Sequence, residues 1–143
     1  MRPTRSCEAY IDGASHGNPG PAGVGVVLIE RDTGTAREFS KYVGETTNNV
    51  AEYLALLYAM QEGLRHGYRE LAVKTDSELL ARQITGVYRV RDAQLRVLHD
   101  LVVHLAKAYQ RFEITHIPRT QNRSADRLAG RAARGQAAGL LTL

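Results

Sequence analysis

Four acidic residues stand where secondary-structure elements are predicted to begin or end. They are Asp12, Glu52, Asp76 and Asp126. Clustered carboxylates repel one another and raise one another's pKa values unless a cation sits among them. Oxygen-only ligands favour hard divalent ions such as Mg²⁺ or Mn²⁺ over zinc. Four carboxylates can hold two such ions about 4 Å apart, an arrangement suited to cutting a phosphodiester, so these acids are candidate metal ligands.

The predicted elements can bring the acids together. Asp12 ends the first predicted strand in "YIDGASHGNPGPAG", and Asp76 ends the fourth in "ELAVKTD". Parallel neighbouring strands end at the same edge of a sheet, so these carboxylates can be neighbours. Glu52 falls in the first turn of a helix that is apolar almost all round, where an unpaired buried charge is costly. Taken singly, Glu52 and Asp126 are also explained as carboxylates that complement a helix N-terminus.

The wider pattern predicts an α/β layer with a mixed sheet and helices on its faces. Strands are predicted in "CEAYID", "GVGVVLIERD", "REFSKYVGE", "ELAVKTD" and "RFEITHIP". Helices are predicted in "TTNNVAEYLALLYAMQEGLRHG", in "SELLARQITG" with Ser77 as N-cap, in "DAQLRVLHDLVVHLAKAYQ" and in "NRSADRLAGRAARG". Because Gly135 is predicted to close the last helix, we expect a domain over 1–135 and a tail over 136–143 whose leucines could dock on it.

Composition narrows the class of protein. A chain of 143 residues is one domain by length. The one cysteine, Cys7, excludes an intramolecular disulfide and favours a reducing compartment, and it is interpreted as a packed small hydrophobe. No run approaches the ~18 apolar residues of a membrane span, so a cytoplasmic protein is expected. The expected oligomeric state is a monomer. The net charge of +4 leans towards a polyanionic partner.

Four segments carry a resemblance to a known family. "DGASHGNPGPAG", "TTNNVAEYLAL", "TDSELL" and "NRSADRLA" resemble the signature segments of the type 1 ribonucleases H, in order and at the usual separations. The resemblance covers residues from about 8 to 135. It implies a ribonuclease H-like fold whose five-stranded mixed sheet has the order 3-2-1-4-5, with helices on both faces. It also implies Mg²⁺-dependent endonucleolytic cleavage of the RNA in RNA–DNA hybrids, leaving a 5′-phosphate and a 3′-hydroxyl.

The same resemblance assigns roles to the four acids. Asp12 would bridge two Mg²⁺ ions, and Asp126 would complete the site that activates water. Glu52 and Asp76 would hold the ion near the leaving oxygen. Mn²⁺ is the expected substitute for Mg²⁺.

Several polar positions match those that line the family's substrate groove. They are Gly13, Asn18, Thr47, Asn48 and Asn49. Side-chain amides can bond a ribose 2′-hydroxyl or a minor-groove base edge, and that hydroxyl distinguishes RNA from DNA. Helix capping is the alternative for the two adjacent asparagines, and Asn48 could do both.

The chain departs from better-known bacterial members in one region. Those members carry a protrusion rich in lysine and tryptophan, whereas here "GVYRVRDAQL" passes straight to the next helix and tryptophan is absent. Weak, salt-sensitive substrate affinity is therefore expected. A stripe within an arc of about 80° on the last helix could contact phosphates or form a solvated face. It consists of Arg123, Arg127, Arg131 and Arg134.

Two residues compete for an auxiliary role. Many family members carry a loop histidine ten residues before the final aspartate, and His116 stands at that offset from Asp126. However, Phe112, Ile114 and His116 alternate onto one strand face, which predicts that His116 is packed and unable to reach the metals. Arg119 lies beyond the strand in the polar loop "RTQN", where a mobile guanidinium could reach a phosphate. We therefore predict Arg119 as the auxiliary catalytic residue.

Other functions fit parts of the pattern. A non-catalytic nucleic-acid-binding module gains nothing from negative charge facing phosphates. A resolvase- or integrase-like nuclease of the same fold would also carry a carboxylate cluster, although the asparagines and "GNPG" favour hybrid cleavage. Dinucleotide binding at Gly20, Gly23 and Gly25 is disfavoured because a strand, not a helix, follows them. The sequence leaves open whether primers or R-loops are the substrate, whether double-stranded RNA is cut, and whether the chain comes from a longer fusion.

Overall fold

The computed structural model describes residues 5–138 as one α/β sheet with helices packed on it. Its strands are β1 (Ser6–Ser15), β2 (Gly20–Glu30), β3 (Ala36–Thr46), β4 (Glu70–Thr75) and β5 (Arg111–His116). Its helices are α1 (Asn48–Arg65), α2 (Glu78–Ile84), α3 (Ala93–Ala106) and α4 (Arg123–Ala138), with a 3-10 turn at Arg119–Gln121. The predicted order of strands and helices is confirmed.

The sheet has the order β3-β2-β1-β4-β5, as predicted. The first three strands form an antiparallel meander, and β4 and β5 add to β1 in parallel. In the parallel pairs Ile11 lies opposite Thr75, and Thr75 lies opposite His116. The ends of β4 and β5 therefore meet the middle of β1 at one edge of the sheet.

The first strand does not stop at Asp12. It runs on to Ser15, because β2 continues to pair with it, Asp12 opposite Gly25 and Ser15 opposite Ala22. What ends near Asp12 is the parallel ladder to β4, whose last pair is Ile11 with Thr75. Asp12 is therefore held rigidly inside a strand but borders the open end of its parallel neighbour.

Helices cover both faces of the sheet. A Cβ added at Gly13 would collide with the α1 backbone, and one at Gly25 would collide with the α4 backbone. Gly25 pairs with Asp12, and Asp12 and Gly13 point to opposite faces because successive strand residues alternate. Helix α1 therefore covers one face and α4 the other, while α3 packs against α1.

The main core lies between the sheet and α1 with α3. It buries Leu56, Met60, Val73, Val102 and Cys7, so Cys7 is a packed hydrophobe as predicted. The buried side of α1 includes several small residues. Ala55, Ala59 and Gly63 are buried there, and their small size lets α1 approach the sheet closely. Gln61 is exposed on the other side of the helix.

The last helix extends further than predicted. Helix α4 passes through Gly135 to Ala138, because a glycine lowers helix stability without forbidding the conformation. The predicted docking of Leu140, Leu141 and Leu143 concerns residues that lie outside the described part of the chain. Within residues 5–138, none of the helices combines the length and apolar character needed to cross a membrane.

Candidate active site

Three of the four predicted acids converge at the edge of the sheet. Asp12, Glu52 and Asp76 each place a carboxylate oxygen so that all three atoms lie within 4.8 Å of one another. Asp12 comes from inside β1, Asp76 directly follows β4, and Glu52 reaches the edge from α1. Asp12 and Glu52 are buried, with 5% and 7% of their surfaces exposed.

Gly13 fixes the position of Glu52. Its backbone N–H donates to Glu52 Oε1 at 2.8 Å. Its missing side chain also lets the strand pass directly beneath Ala51 and Glu52, where a Cβ would collide. Because α1 begins at Asn48, Glu52 lies in the second turn, not the first as predicted. Its carboxylate is therefore held by a neighbouring strand instead of complementing its own helix N-terminus.

The electrostatics of the cluster call for a cation. Burial raises the pKa of Asp12 well above its ordinary range, and the negative charges of Glu52, Asp76 and Asp126 raise it further. Burial also raises the pKa of Glu52, while the Gly13 N–H opposes that shift by stabilising the carboxylate. A divalent ion would remove both the repulsion and the bound protons. The donor set consists of carboxylate oxygens, which suits a hard ion.

Asp126 completes the cleft from the other side of the sheet. It lies in the first turn of α4 with 40% of its side chain exposed, and its charge acts on Asp12. Arg119 places Nη2 at 3.5 Å from Asp126 Oδ1, although 78% of the Arg119 side chain is exposed. Arg119, Asp126 and Asn48 line one cleft with Asp12 and Asp76. The structure therefore brings the predicted loop arginine to the acids.

His116 is not packed as predicted. It is exposed at the end of β5, and it does not line the cleft that holds the acids. Ile114 is buried and Phe112 half-buried on the same face, so the alternation itself is correct. Strand β5 is the edge strand of the sheet and contacts α2, but His116 at its end is left exposed.

The predicted groove residues surround the N-terminus of α1. Thr47 is the N-cap, and its Oγ1 accepts the Val50 N–H at 3.3 Å. Asn18 Oδ1 accepts the Asn48 N–H at 2.9 Å. Capping by Asn48 was a wrong expectation, because Asn48 is itself the first helical residue and is capped by others. The side chains of Asn48 and Asn49 are exposed, so both are accessible to a ligand.

The arginine stripe on α4 faces solvent. Arg123, Arg127, Arg131 and Arg134 are all exposed, on the side of α4 away from its buried Leu128 and Ala129. Arg127 Nη2 lies 3.8 Å from Glu38 Oε2 on β3. An exposed pair of this kind contributes little to stability, so the stripe is available for other contacts.

Asn122 is a site residue that the sequence analysis missed. It is 1% exposed, and its Nδ2 donates to the Ile11 carbonyl at 2.8 Å. The same nitrogen lies 3.4 Å from Asp76 Oδ1. One signal was present in the sequence, since an amide residue stands one turn before Asp126 in "NRSADRLA".

Comparisons with known proteins agree with this fold and cleft. Residues 10–132 match the family described as "Reverse transcriptase-like". The chain is 41% identical over 124 residues to "Ribonuclease HI" of Halobacterium salinarum, which covers 87% of this chain and 62% of that protein. A bifunctional protein of Mycobacterium tuberculosis is 40% identical over 122 residues, 85% of this chain and 34% of its own length. The chain thus spans between a third and two thirds of these relatives.

Solved structures give the same result. The crystal structure of the ribonuclease H1 of Halobacterium salinarum superposes with a TM-score of 0.88 at 39% identity, covering 91% of this chain and 98% of that one. The LC11 ribonuclease H1, solved in complex with an RNA/DNA hybrid, superposes with a TM-score of 0.86 at 39% identity, covering 92% and 99%. Fold, acids and family match together define a reverse transcriptase-like domain. Within that class, the chain belongs to the type 1 ribonuclease H family.

Proposed function

We propose that the protein is a metal-dependent endoribonuclease that hydrolyses the RNA strand of RNA–DNA hybrids. The products would carry a 5′-phosphate and a 3′-hydroxyl. The observation that carries the proposal is the convergence of three carboxylates within 4.8 Å, two of them buried, in a chain of this family. Buried acids at such spacing are unfavourable without a cation, so the site is better explained by catalysis than by stability.

Mg²⁺ is the proposed ion, two per site with substrate bound, with Mn²⁺ as a substitute. Asp12, Glu52, Asp76 and Asp126 would hold the two ions, with Asp12 shared between them. When bound, the ions would supply activation of water and stabilisation of the leaving oxygen. The raised pKa values of Asp12 and Glu52 support this assignment, because ion binding would displace protons that the metal-free cluster retains.

The residues of the chain itself would bind and orient the hybrid. The exposed amide of Asn48 lines the cleft, and the amide of Asn49, the next residue of α1, is also exposed. Both are proposed to donate to a ribose 2′-hydroxyl. Asn18 and Thr47 would act by holding the α1 N-terminus that presents them. Gly13 lines the cleft as well, but its N–H is engaged with Glu52. Its contribution to binding would therefore be close backbone approach.

Arg119 is the proposed auxiliary residue. Its exposed guanidinium lies beside Asp126 and inside the cleft, so it can contact a phosphate oxygen of the substrate or departing product. The exposed arginine stripe of α4 would add contacts to phosphates that lie further from the cut. Because these contacts are electrostatic, hybrid affinity should fall steeply with salt.

One gel tests the proposal against its alternatives. Labelled RNA–DNA hybrid, double-stranded RNA and double-stranded DNA are each incubated with the protein in Mg²⁺, Mn²⁺ or EDTA. We expect cleavage of the hybrid's RNA strand with either metal and none in EDTA. Cleavage of double-stranded DNA would point to a resolvase- or integrase-like nuclease, and binding without cleavage to a non-catalytic module. The double-stranded RNA lane decides whether that substrate is also cut.

The proposal also covers the cellular compartment, the domain boundary and the oligomeric state of the protein. A buried, unpaired Cys7 fits a reducing compartment such as the cytoplasm. The predicted domain boundary after residue 135 falls inside α4, which continues to Ala138, so the catalytic domain is proposed to include the whole of that helix. A monomeric state stays a prediction, which light scattering at two protein concentrations would check.

A further inference from the structure

We propose that Asn122 is a positioning residue that holds Asp76 and the adjoining part of β1 in the geometry needed for metal binding. The inference rests on the proposed function, since it concerns the same site. Asn122 is 1% exposed and lies between the 3-10 turn and α4. Its side chain is an amide and carries no charge.

The side chain bridges the two strands that carry acids. Asn122 Nδ2 donates to the Ile11 carbonyl at 2.8 Å, and Ile11 immediately precedes Asp12. The same nitrogen lies 3.4 Å from Asp76 Oδ1, which is a long hydrogen bond. Ile11 pairs with Thr75, the residue before Asp76. The side-chain nitrogen of Asn122 thus contacts β1 next to Asp12 and also contacts Asp76, which directly follows β4.

The main chain of Asn122 extends the connection to the rest of the site. Its carbonyl accepts the Asp126 N–H at 3.0 Å, and its own N–H donates to the Arg119 carbonyl at 2.9 Å. A single buried residue is therefore bonded to the segments of Asp12, Asp76, Asp126 and Arg119. Displacing it would move acids from three elements relative to one another.

The donor half of the amide carries the side-chain interaction. Asn122 Oδ1 is buried with no hydrogen-bond partner within residues 5–138. Turning the amide over would place that oxygen against the Asp76 carboxylate, where two acceptors repel, so the orientation with Nδ2 towards Asp76 is the favourable one. The role can therefore be removed by a side chain of similar size that cannot donate.

The test replaces Asn122 by Leu, which has the same branching and number of side-chain heavy atoms but cannot donate a hydrogen bond, and by Ala in case the larger methyl groups of Leu overpack the site. The matched control is Gln83→Met. Gln83 is also a buried amide, and it accepts from the Tyr53 hydroxyl at 2.6 Å, away from the acids. Mg²⁺ affinity is measured by calorimetry without substrate, and kcat and KM are measured on hybrid. Thermal unfolding is followed for every variant.

We expect N122L and N122A to weaken Mg²⁺ binding by about 10-fold or more, a typical effect of losing a residue that orients a ligand. We expect kcat to fall with it, while KM for hybrid stays within about twofold. Q83M should lower Tm and keep Mg²⁺ affinity. Wild-type Mg²⁺ affinity and kcat in either Asn122 variant would overturn the proposal, as would failure of both to fold. If the wild type binds Mg²⁺ but cuts no hybrid, the proposed function fails while the Mg²⁺ comparison still tests Asn122.

Discussion

Replacing Asp12 by Asn should abolish hybrid cleavage and, without metal, make the protein more stable. Asp12 lies within 4.8 Å of oxygens of Glu52 and Asp76, so its charge repels both. At that separation each like-charged pair is unfavourable by about 1 kcal/mol in a water-like dielectric and about 3.5 kcal/mol at an effective dielectric of about 20. The wild-type cluster relieves part of this by retaining protons. We therefore expect the free energy of unfolding of metal-free D12N to exceed that of the wild type by about 1–3 kcal/mol near pH 8.

The gain should depend on pH with a definite sign. In the folded protein the pKa of Asp12 is raised above its ordinary value of 3.8. Between these two pKa values the folded state binds more protons than the unfolded state. The wild type therefore loses stability as the pH rises from the ordinary pKa of Asp12 to its raised pKa in the folded protein. An asparagine has no such loss. The two proteins should converge below about pH 4, where the Asp12 carboxyl is protonated in both the folded and the unfolded wild type, and separate progressively towards pH 9.

Thermal unfolding in EDTA across this pH range is the assay. A gain of about 1–3 kcal/mol corresponds to about 3–10 °C in Tm for a domain of this size. Saturating Mg²⁺ should reduce or reverse the difference, because binding stabilises the wild type by mass action. Cleavage by D12N at near wild-type rate would refute the metal site. A lower Tm for D12N in EDTA at pH 8 would refute the repulsion argument.

Three further predictions concern the cleft and its surroundings. Arg119→Ala should lower kcat with little change in Tm, because its side chain is largely exposed, and His116→Ala should change neither by much; an inactive H116A beside a fully active R119A would reverse the assignment. Changing Arg123, Arg127 and Arg131 together to Ala should raise KM for hybrid and flatten its salt dependence, and unchanged values would leave the stripe as a solvated face. Mg²⁺ affinity should rise with pH because carboxyl groups with raised pKa values lose protons on binding; calorimetry in buffers of different ionisation enthalpy should detect proton release, and a pH-independent affinity would contradict it.

The strands and helices could be predicted from local patterns, and the order of the sheet was implied by the family resemblance. A helical crossover predicts that β4 is a parallel strand, and the order implied by the family resemblance places it beside β1, which brings Asp12 near Asp76. The sequence could not show that β1 continues to Ser15, because that depends on pairing with β2 across the turn. The turn of α1 that carries Glu52 was misplaced for a related reason. The helix start is set by capping from Thr47 and Asn18, and the latter comes from a distant loop.

The errors at His116 and Asn122 have a different origin. Alternation along β5 correctly assigned a face to His116 but said nothing about whether a helix covers that end. Asn122 looked like an ordinary polar loop residue, and its role depends on a carbonyl that lies 111 positions earlier in the chain. Burial and long-range hydrogen bonds of this kind depend on how the helices and the sheet pack together. They leave no periodic pattern in the sequence from which they could be predicted.

The glycines of β2 limit how this protein could be engineered. Replacing a strand glycine by a β-branched residue is a common way to stabilise a sheet, since glycine has low strand propensity. At Gly25 any side chain would collide with the backbone of α4 at Ala125 and Ala129, and at Gly23 with the next turn. The helix would have to lift away, and it carries Asp126 in its first turn. A substitution meant to strengthen the strand at Gly23 or Gly25 would therefore destabilise the packing of α4 and displace the fourth acid from the cleft.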